Sequence, residues 1–295
     1  MIRANSGDAE FADAVAFTAV TLRFSKMHGL GNDFVVVDCR TQPLNLDVAQ
    51  IARLGDRHFG VGFDQLLTIE PARDSTCAFR YEIYNRDGSP SGQCGNGVRC
   101  VAAWLRRAGA LDAGTTRLES PSGSITVEWL NDDRVRVDMG VPRFSPADIP
   151  LRVEAESMAY RLLVAGVEIE FGAVSMGNPH AVIEVADSAM APLESLAAAL
   201  STDVHFPQGC NVGFAQIVDR AHVRLRVWER GTGATLACGS GACAAVAILR
   251  RRGKLDAEVA VELPGGTLAI RWDGEGTAVW MTGPSEFVFE GEVQL

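Results

Sequence analysis

Two stretches of this 295-residue chain repeat one another, and that repeat constrains the fold more than any other feature. Cys94 begins the turn CGNG and Cys238, 144 residues later, begins the turn CGSG; the same offset relates Leu105-Arg106-Arg107 to Leu249-Arg250-Arg251. Further matches occur at offsets of 146 and 143, as small loop insertions would produce. Solenoid units are roughly 20 to 50 residues long. The repeat therefore predicts two related domains.

Short strand-like runs separated by turns rich in Gly, Asp and Pro dominate the chain. Helical patterns are clearest over Leu46 to Arg57, Asn96 to Ala108 and Ser240 to Arg252, and the last two each follow a Cys-Gly-x-Gly turn. Both are apolar almost all the way round, which is typical of a helix enclosed by other structure. We predict an α+β fold of two pseudo-symmetric domains, each a curved, mostly antiparallel sheet around a central helix.

The repeat also sets the expected domain boundaries, and the length of the chain agrees with about two domains. We take residues 1–21 as an N-terminal extension. Residues 22–140 form the first domain, which bears Cys94, and residues 141–295 the second, which bears Cys238. The last strand, 284–295, is expected to return to the first domain.

Composition excludes several classes of function. A net charge of −10 argues against nucleic acid as a partner, because phosphate binding requires clustered cations. No apolar run approaches the roughly 18 residues that a membrane helix needs. Seven cysteines, an odd number, and acidic residues where a signal peptide would be basic predict reduced thiols in the cytoplasm.

The two Cys-Gly-x-Gly turns predict acid/base chemistry. A cysteine just before a helix lies in the positive field of the helix dipole, so we expect its pKa to fall from about 8.5 towards neutrality. The glycines remove side-chain bulk, so backbone N–H groups after each cysteine can hold a carboxylate. Those groups belong to Gly95, Asn96 and Gly97 in the first turn, and to Gly239, Ser240 and Gly241 in the second.

A carboxylate held between two such turns would place its α-carbon between two sulfur atoms. One thiolate would remove the α-proton while the opposite thiol donates a proton to the other face, which inverts the centre without a cofactor or a metal. The resulting carbanion needs stabilisation, and one preorganised donor of this kind contributes about 3 kcal/mol to lowering a barrier.

Six motifs give the sequence a specific resemblance, in the order MHGLGNDF, GFDQLL, NRDGSPSGQCGNGVRC, SMGNPH, NVGF and ERGTGATLACGSGACAAV. Together they resemble diaminopimelate epimerase from Phe24 nearly to the end of the chain. The resemblance implies cofactor-free interconversion of L,L- and meso-diaminopimelate, in lysine and peptidoglycan precursor biosynthesis, by a homodimer. It implies that Cys94 donates and Cys238 accepts the proton in the L,L to meso direction.

The resemblance also implies the substrate-binding residues. Arg230 would bind the distal carboxylate and Glu229 the distal ammonium, with asparagines as neutral partners. His180 matches a histidine that supports the site, by tuning protonation or by orienting its neighbours. The implied substrate-binding set is Asn32, Gln65, Asn85, Gly95, Asn96, Asn178, Asn211, Glu229, Arg230, Gly239 and Ser240.

Some positions depart from the family pattern. Residues 1–21 have no counterpart, because the family usually begins close to Phe24. Ala234 and Phe289 stand where many members carry Glu and Tyr, and the second of these positions is associated with dimer packing.

The cysteines also admit interpretations other than two-thiol acid/base chemistry. For the remaining thiols we expect small buried hydrophobic side chains; they are Cys39, Cys77, Cys100, Cys210 and Cys243. Neither Cys-Gly-x-Gly turn is followed by a second ligand pair, so a zinc site is a poor alternative. Two functional alternatives stay open: a proline or hydroxyproline type racemase of the same fold, and a thiol redox sensor in which Cys94 and Cys238 form a reversible disulfide.

Overall fold

The structure, a computed structural model, describes residues 21–42, 44–130 and 134–295. The predicted N-terminal extension lies outside the described residues except for Thr21, which begins the first strand. The strands are β1 Thr21–Gly29, β2 Asn32–Asp38, β3 Gln65–Pro71, β4 Phe79–Asn85, β5 Thr115–Ser120, β6 Gly123–Trp129, β7 Val135–Asp138, β8 Tyr160–Val164, β9 Val167–Ser175, β10 Pro179–Glu184, β11 Asn211–Asp219, β12 His222–Glu229, β13 Gly233–Thr235, β14 Glu258–Leu263, β15 Gly266–Trp272, β16 Val279–Gly283 and β17 Glu286–Gln294. The helices are α1 Val48–Gly55, α2 Gly95–Arg107, α3 Ala198–Ser201 and α4 Gly239–Arg251, and a π-helical turn, Leu193–Ala197, precedes α3.

The first half of the chain forms a sheet in the order β1-β2-β3-β4-β5-β6-β7. Two of these pairings are parallel, β2 with β3 and β4 with β5, and the rest are antiparallel. The last strand of the chain, β17, pairs antiparallel with β1 and places Gln294 opposite Thr21. The first sheet is therefore completed by residues from the end of the chain.

The second half repeats this topology in the order β8-β9-β10-β11-β12-β14-β15-β16. Its parallel pairs are β10 with β11 and β12 with β14. Phe34 lies opposite Gln65 in the first half, and His180 lies opposite Asn211 in the second, so the register itself repeats at an offset of 146. These matches and the strand-rich architecture confirm the predicted α+β fold of two pseudo-symmetric halves.

Each half encloses one helix, α2 in the first and α4 in the second. Nearly all of α4 is buried, whereas α2 ends in the half-buried Arg106 and the exposed Arg107, whose cations lie at the negative end of the helix dipole. The three predicted helices are confirmed with ends shifted by one or two residues. The short α3 and the turn before it were not predicted, because two turns carry too little periodicity to be recognised.

The two halves share one junction. β7 pairs antiparallel with β16, and one continuous apolar core contains buried side chains of both central helices. The Leu30 backbone of the first half meets Gly265 in the β14–β15 turn of the second half. This junction fixes how the amino-terminal ends of α2 and α4 face each other. Within the described residues no helix is both long and apolar enough to span a membrane.

Candidate active site

Cys94 and Cys238 occupy the same position in the two halves, as the residue that caps the start of the central helix. Both have an extended backbone, so the N–H groups that follow point along the helix axis past the thiol. The Cys94 sulfur accepts a hydrogen bond from the N–H of Gly97 at 3.4 Å. The N–H of Gly241, at the equivalent position of α4, interacts with the Cys238 thiol without the geometry of a capping bond. The two sulfur atoms therefore face equivalent backbone groups.

The two helix starts pack against a common side chain, that of Met281 on β16. A Cβ added at Gly95 would lie 2.6 Å from Met281 Cε, and a Cβ added at Gly239 would lie 2.8 Å from its Sδ. Any larger residue at either position would have to displace this methionine. Glycine thus allows both helix ends to approach one point, as the two turns predicted.

Asn96 connects the two helix starts directly. Its Nδ2 donates to the carbonyl oxygen of Ala237, the residue before Cys238, at 3.1 Å, and lies 3.3 Å from Asn32 Oδ1. Asn96 is almost completely buried, and its Oδ1 has no hydrogen-bond partner in the part of the chain that the structure describes. A buried acceptor of this kind is available to a ligand ammonium or hydroxyl group.

Around Cys94 the structure gathers Asn32 and two residues of the neighbouring strands. Asn32 Oδ1 lies 3.6 Å from the Cys94 sulfur, and Asn32 Nδ2 donates to Asp64 at 3.0 Å. Gln65 Nε2 donates to Asn85 Oδ1 at 3.0 Å, because the two residues are paired across β3 and β4. Asn32 therefore lies beside the first thiol, and Gln65 and Asn85 form a second polar pair on the neighbouring strands.

The predicted residues of the second half form a matching group beside Cys238. Ser240 Oγ lies 3.7 Å from the Cys238 sulfur and accepts a hydrogen bond from Asn178 Nδ2 at 3.4 Å. Asn178 Oδ1 lies 2.9 Å from His180 Nε2, and Asn211 Nδ2 lies 3.5 Å from that same nitrogen. Asn178 follows β9 just as Asn32 follows β1, which explains why both lie beside a helix start.

Glu229 and Arg230 leave the end of β12 in different directions. Glu229 accepts a hydrogen bond from Thr235 Oγ1 at 2.6 Å and interacts with the Cys238 thiol. Arg230 is anchored by its backbone N–H to Asn211 Oδ1 at 2.9 Å, and its Nη1 donates to the carbonyl of Gln208 at 2.6 Å. Glu229 thus reaches the Cys238 thiol, whereas Arg230 lies further out.

The acidity of the two thiols is the opposite of what the sequence led us to expect. Burial, countered in part by the N–H groups of Gly97 and Asn96, raises the pKa of Cys94 to about 11. Burial and the nearby Glu229 carboxylate raise the pKa of Cys238 well above its ordinary value. The expectation was wrong because it counted the helix dipole but not the loss of water, and Cys238 is only 4% exposed. A thiolate formed here is a strong base.

His180 is fully enclosed, and this settles its protonation. Burial, together with the positive charge of Arg230, lowers the pKa of His180 to about 3. The ring is therefore neutral at physiological pH and cannot act as a cationic acid in this state. Its contact with Asn178 Oδ1 makes it a donor that orients this asparagine.

Several residues that support the site were not predicted. Asp64 orients Asn32, Thr235 holds Glu229, and Ser91 lies 3.4 Å from Gln65 Nε2. The sequence signals were weak: Asp64 directly precedes Gln65 in GFDQLL, but an aspartate after glycine and phenylalanine is also common in turns. The other cysteines are as expected, with Cys77, Cys100, Cys210 and Cys243 buried, and Cys39 half-buried.

A cavity of about 370 Å³ adjoins the helix starts at the junction of the two halves. Gln93 and Gly177, the neighbours of Cys94 and Asn178, lie in its wall, whereas Cys94 and Cys238 do not. The polar lining comes from the β5–β6 turn and from Asp138 and Arg143 in the connection between the halves.

Comparison with known proteins gives one family. The family model described as diaminopimelate epimerase matches residues 24–145 and 172–288. The diaminopimelate epimerase of Xanthomonas axonopodis pv. citri (strain 306) is 55% identical over 272 residues, which are 92% of this chain and 96% of that protein. The diaminopimelate epimerase of Chromobacterium violaceum is 51% identical over 274 residues, 93% of this chain and 99% of that protein.

Solved structures show the same fold at low sequence identity. A hydroxyproline epimerase from Agrobacterium vitis with bound trans-4-OH-L-proline has a TM-score of 0.69 at 16% identity and covers 93% of both chains. A PhzF family phenazine biosynthesis protein from Bacillus anthracis has a TM-score of 0.64 at 16% identity and covers 94% of this chain and all of that one. At these identities the likeness concerns the fold alone.

Proposed function

The chain belongs to the diaminopimelate epimerase family and is an isomerase of that type, and on this premise we propose that Cys94 and Cys238 interconvert L,L- and meso-diaminopimelate by proton transfer at one α-carbon. The observation that carries the proposal is the identical placement of the two thiols at helix starts that pack against one methionine. The reaction serves lysine biosynthesis.

The substrate α-carboxylate would be held by the backbone N–H groups of the two turns, which lie at the positive ends of α2 and α4. In the L,L to meso direction the Cys238 thiolate takes the α-proton, so that the C–H bond breaks and an S–H bond forms. The electron pair left on carbon spreads into the carboxylate. Cys94 then donates its proton to the opposite face, which leaves Cys94 as the thiolate.

The raised thiol pKa values suit this chemistry. An α-C–H group is a very weak acid, and a base removes its proton more readily when its own pKa is high. The cost is a small population of thiolate in the free enzyme. Preorganised N–H donors at the carboxylate offset that cost, because their hydrogen bonds to the carboxylate become stronger as negative charge spreads into it from the carbanion.

The remaining predicted residues divide between the two ends of the substrate. Asn32, Asn96 and Ser240 lie beside the thiols and would contact the reacting centre. Arg230 lies further out, and its guanidinium would bind the distal carboxylate in a bidentate manner. Glu229 lies at Cys238, so its contact with an ammonium group would be close to the reacting end. The substrate-binding set is completed by Gln65, Asn85, Gly95, Asn178, Asn211 and Gly239.

We also propose that the protein acts as a cytoplasmic homodimer without a bound cofactor, nucleic acid or membrane. All seven cysteines are free, which fits a reducing compartment. Phe289 is 49% exposed on β17, and this strand pairs with β1 alone among the described strands. An exposed edge strand with apolar side chains is a candidate surface for a second copy.

The deciding experiment follows L,L-diaminopimelate in D₂O with the reduced protein, and detects the meso isomer and α-deuterium by chromatography and NMR. Meso product that carries solvent deuterium is expected from the wild type, and neither Cys94→Ala nor Cys238→Ala should form it. Proline serves as the control substrate and should be unchanged. Turnover of diaminopimelate by either folded variant would refute the two-thiol assignment.

A further inference from the structure

Behind the first helix start lies a buried arginine that has no carboxylate partner among the described residues. Arg99, in the second turn of α2, is 0% exposed. Its Nε donates to the carbonyl oxygen of Pro284 at 3.2 Å, and its Nη1 lies 3.5 Å from the Gly95 carbonyl oxygen and 3.6 Å from the Met281 sulfur. Nη2 has no hydrogen-bond partner among the described residues. The ionisable groups that act on this guanidinium are thiols, not carboxylates.

The surrounding backbone leaves room for this side chain. A Cβ added at Gly29 would lie 2.9 Å from Arg99 Nη2, and one added at Gly283 would lie 3.3 Å from its Cζ. Two strands thus carry glycine where they pass the guanidinium. Burying a charge without a counter-ion is unfavourable, and an apolar side chain of similar volume is often the more stable choice. Ionisable groups perturbed by burial cluster at functional sites.

The pseudo-symmetry shows that the charge belongs to one half only. The residue 144 positions after Arg99 is Cys243, which is buried in the same turn of α4. A role in packing a central helix against its sheet would apply to both halves, yet the second half uses a small neutral side chain. Arg99 therefore makes the two ends of the site electrostatically unequal.

Arg99 lies among the ionisable groups that surround the Cys94 thiol. The charged or ionisable groups that face Cys94 are Arg99 and Cys100 from α2, Glu229 from β12 and Tyr81 from β4. Arg99 is the only cation among them in the described residues. Glu229 raises the pKa of both thiols, and Arg99 lowers that of Cys94.

We propose that Arg99 is a positioning residue that supplies a fixed buried positive charge, and that this charge selectively stabilises the Cys94 thiolate and a carboxylate held at the start of α2. It contacts neither the substrate nor the thiol by a hydrogen bond, and acts through the field of the first turn, where low polarity lets a charge act over several ångströms. Stabilisation of the Cys94 thiolate by Arg99 can be tested without substrate. The effect of Arg99 on catalysis rests on the proposed function.

The test measures the two thiols separately, in the absence of substrate. Reduced protein is treated with iodoacetamide to low conversion at several pH values, and alkylation of the Cys94 and Cys238 peptides is quantified by mass spectrometry. In the wild type Cys94 should become reactive at lower pH than Cys238. In Arg99→Met the Cys94 rate near neutral pH should fall about tenfold, which corresponds to one pKa unit, while Cys238 is unchanged. Arg99→Lys should restore most of the rate.

Thermal unfolding separates this role from a structural one. Arg99→Met removes a buried unpaired charge, so its midpoint should equal or exceed that of the wild type while kcat/KM for diaminopimelate falls about tenfold. Loss of thermal stability with an unchanged Cys94 to Cys238 rate ratio would show that Arg99 only packs the helix, and would overturn the proposal. Equal slowing of both thiols would do so too.

One measurement needs no variant. If Arg99→Met does not fold, the wild-type protein still tests the proposal. Alkylation of Cys238 at lower pH than Cys94 would contradict it. Failure of the proposed function is recognised independently, by diaminopimelate turnover in Cys94→Ala. The two hypotheses can therefore fail separately.

Discussion

Asp64 fixes the orientation of Asn32, because its Oδ2 accepts a hydrogen bond from Asn32 Nδ2 at 3.0 Å. The other end of the amide, Oδ1, consequently faces the Cys94 sulfur at 3.6 Å. Arg57 in turn donates to Asp64 Oδ1 at 2.8 Å. A chain of three side chains thus runs from the surface to the first thiol and presents it with an acceptor, which favours the protonated, donating form of Cys94.

Removing that orientation should slow the reaction. We expect Asp64→Ala to reduce kcat/KM about tenfold, since the loss of one hydrogen bond to a charged group costs roughly 1.5 kcal/mol. Asp64→Asn keeps an acceptor for Asn32 and should retain most activity. Asp256→Ala, which breaks an exposed ion pair with Arg220, is the control for charge removal. Full activity in Asp64→Ala would contradict the role assigned to Asp64.

Glu229→Gln should make Cys238 more acidic. The carboxylate and burial together raise the pKa of Cys238, so removal of the negative charge favours the thiolate. We expect alkylation of Cys238 to accelerate about tenfold near pH 8, the change that one pKa unit produces, while epimerisation slows because the neutral amide binds the substrate ammonium more weakly than the carboxylate does. Glu262→Gln, remote from the site and paired with Arg224, is the matched control. Unchanged Cys238 reactivity would show that burial alone sets its acidity.

His180 should make the protein sensitive to mild acid. Its pKa is lowered to about 3 in the fold, while it is about 6.5 in the unfolded chain. Between these values the unfolded chain binds the extra proton, so the stabilising contribution is complete above about pH 6.5 and is lost as the pH falls towards 3. The slope reaches at most about 1.4 kcal/mol per pH unit.

Urea unfolding of the wild type and His180→Gln at several pH values between about 7.5 and 4.5 checks this slope. The free energy of unfolding of the wild type should fall more steeply with acidification than that of the variant, so that their difference shrinks. His58→Gln, at an exposed position, should follow the wild-type slope. Parallel curves for all three proteins would mean that His180 is not the titrating group.

Gly265→Ala should weaken the junction between the two halves. A Cβ at this position would lie 1.9 Å from the Leu30 carbonyl oxygen, and backbone cannot move aside as a side chain can. We expect the free energy of unfolding to fall by about 1–3 kcal/mol, as for other overpacked sites, and activity to fall with it. The equivalent residue of the first half is Ser122, where a side chain is accommodated, so Ser122→Ala is the control and should change stability little. If the free energy of unfolding of Gly265→Ala equalled that of the wild type, the close approach of Gly265 to the Leu30 carbonyl oxygen would be contradicted.

The sequence predicted the fold and the location of the thiols because both depend on local pattern. Cys94 and Cys238 were recognised from glycine spacing and an apolar helix after each turn, and these are properties of neighbouring residues. The acidity of the thiols was predicted with the wrong sign, since it depends on how completely the two halves exclude water. Asp64 and Arg99 were missed for a related reason. An aspartate in a turn and an arginine in a helix are ordinary in sequence, and only the tertiary structure shows what each one faces.

The pairing of β17 with β1 joins strands that lie far apart along the chain. In the second half, the equivalent strands β8 and β9 form a hairpin joined by Ala165 and Gly166. Closing a long loop costs more conformational entropy than closing a two-residue hairpin, so we expect the β8–β9 hairpin to form before β17 pairs with β1 during refolding. Because Gln294 lies opposite Thr21, a circular permutant that joins these residues by a two-residue turn would give both halves the same hairpin and speed the completion of the first sheet.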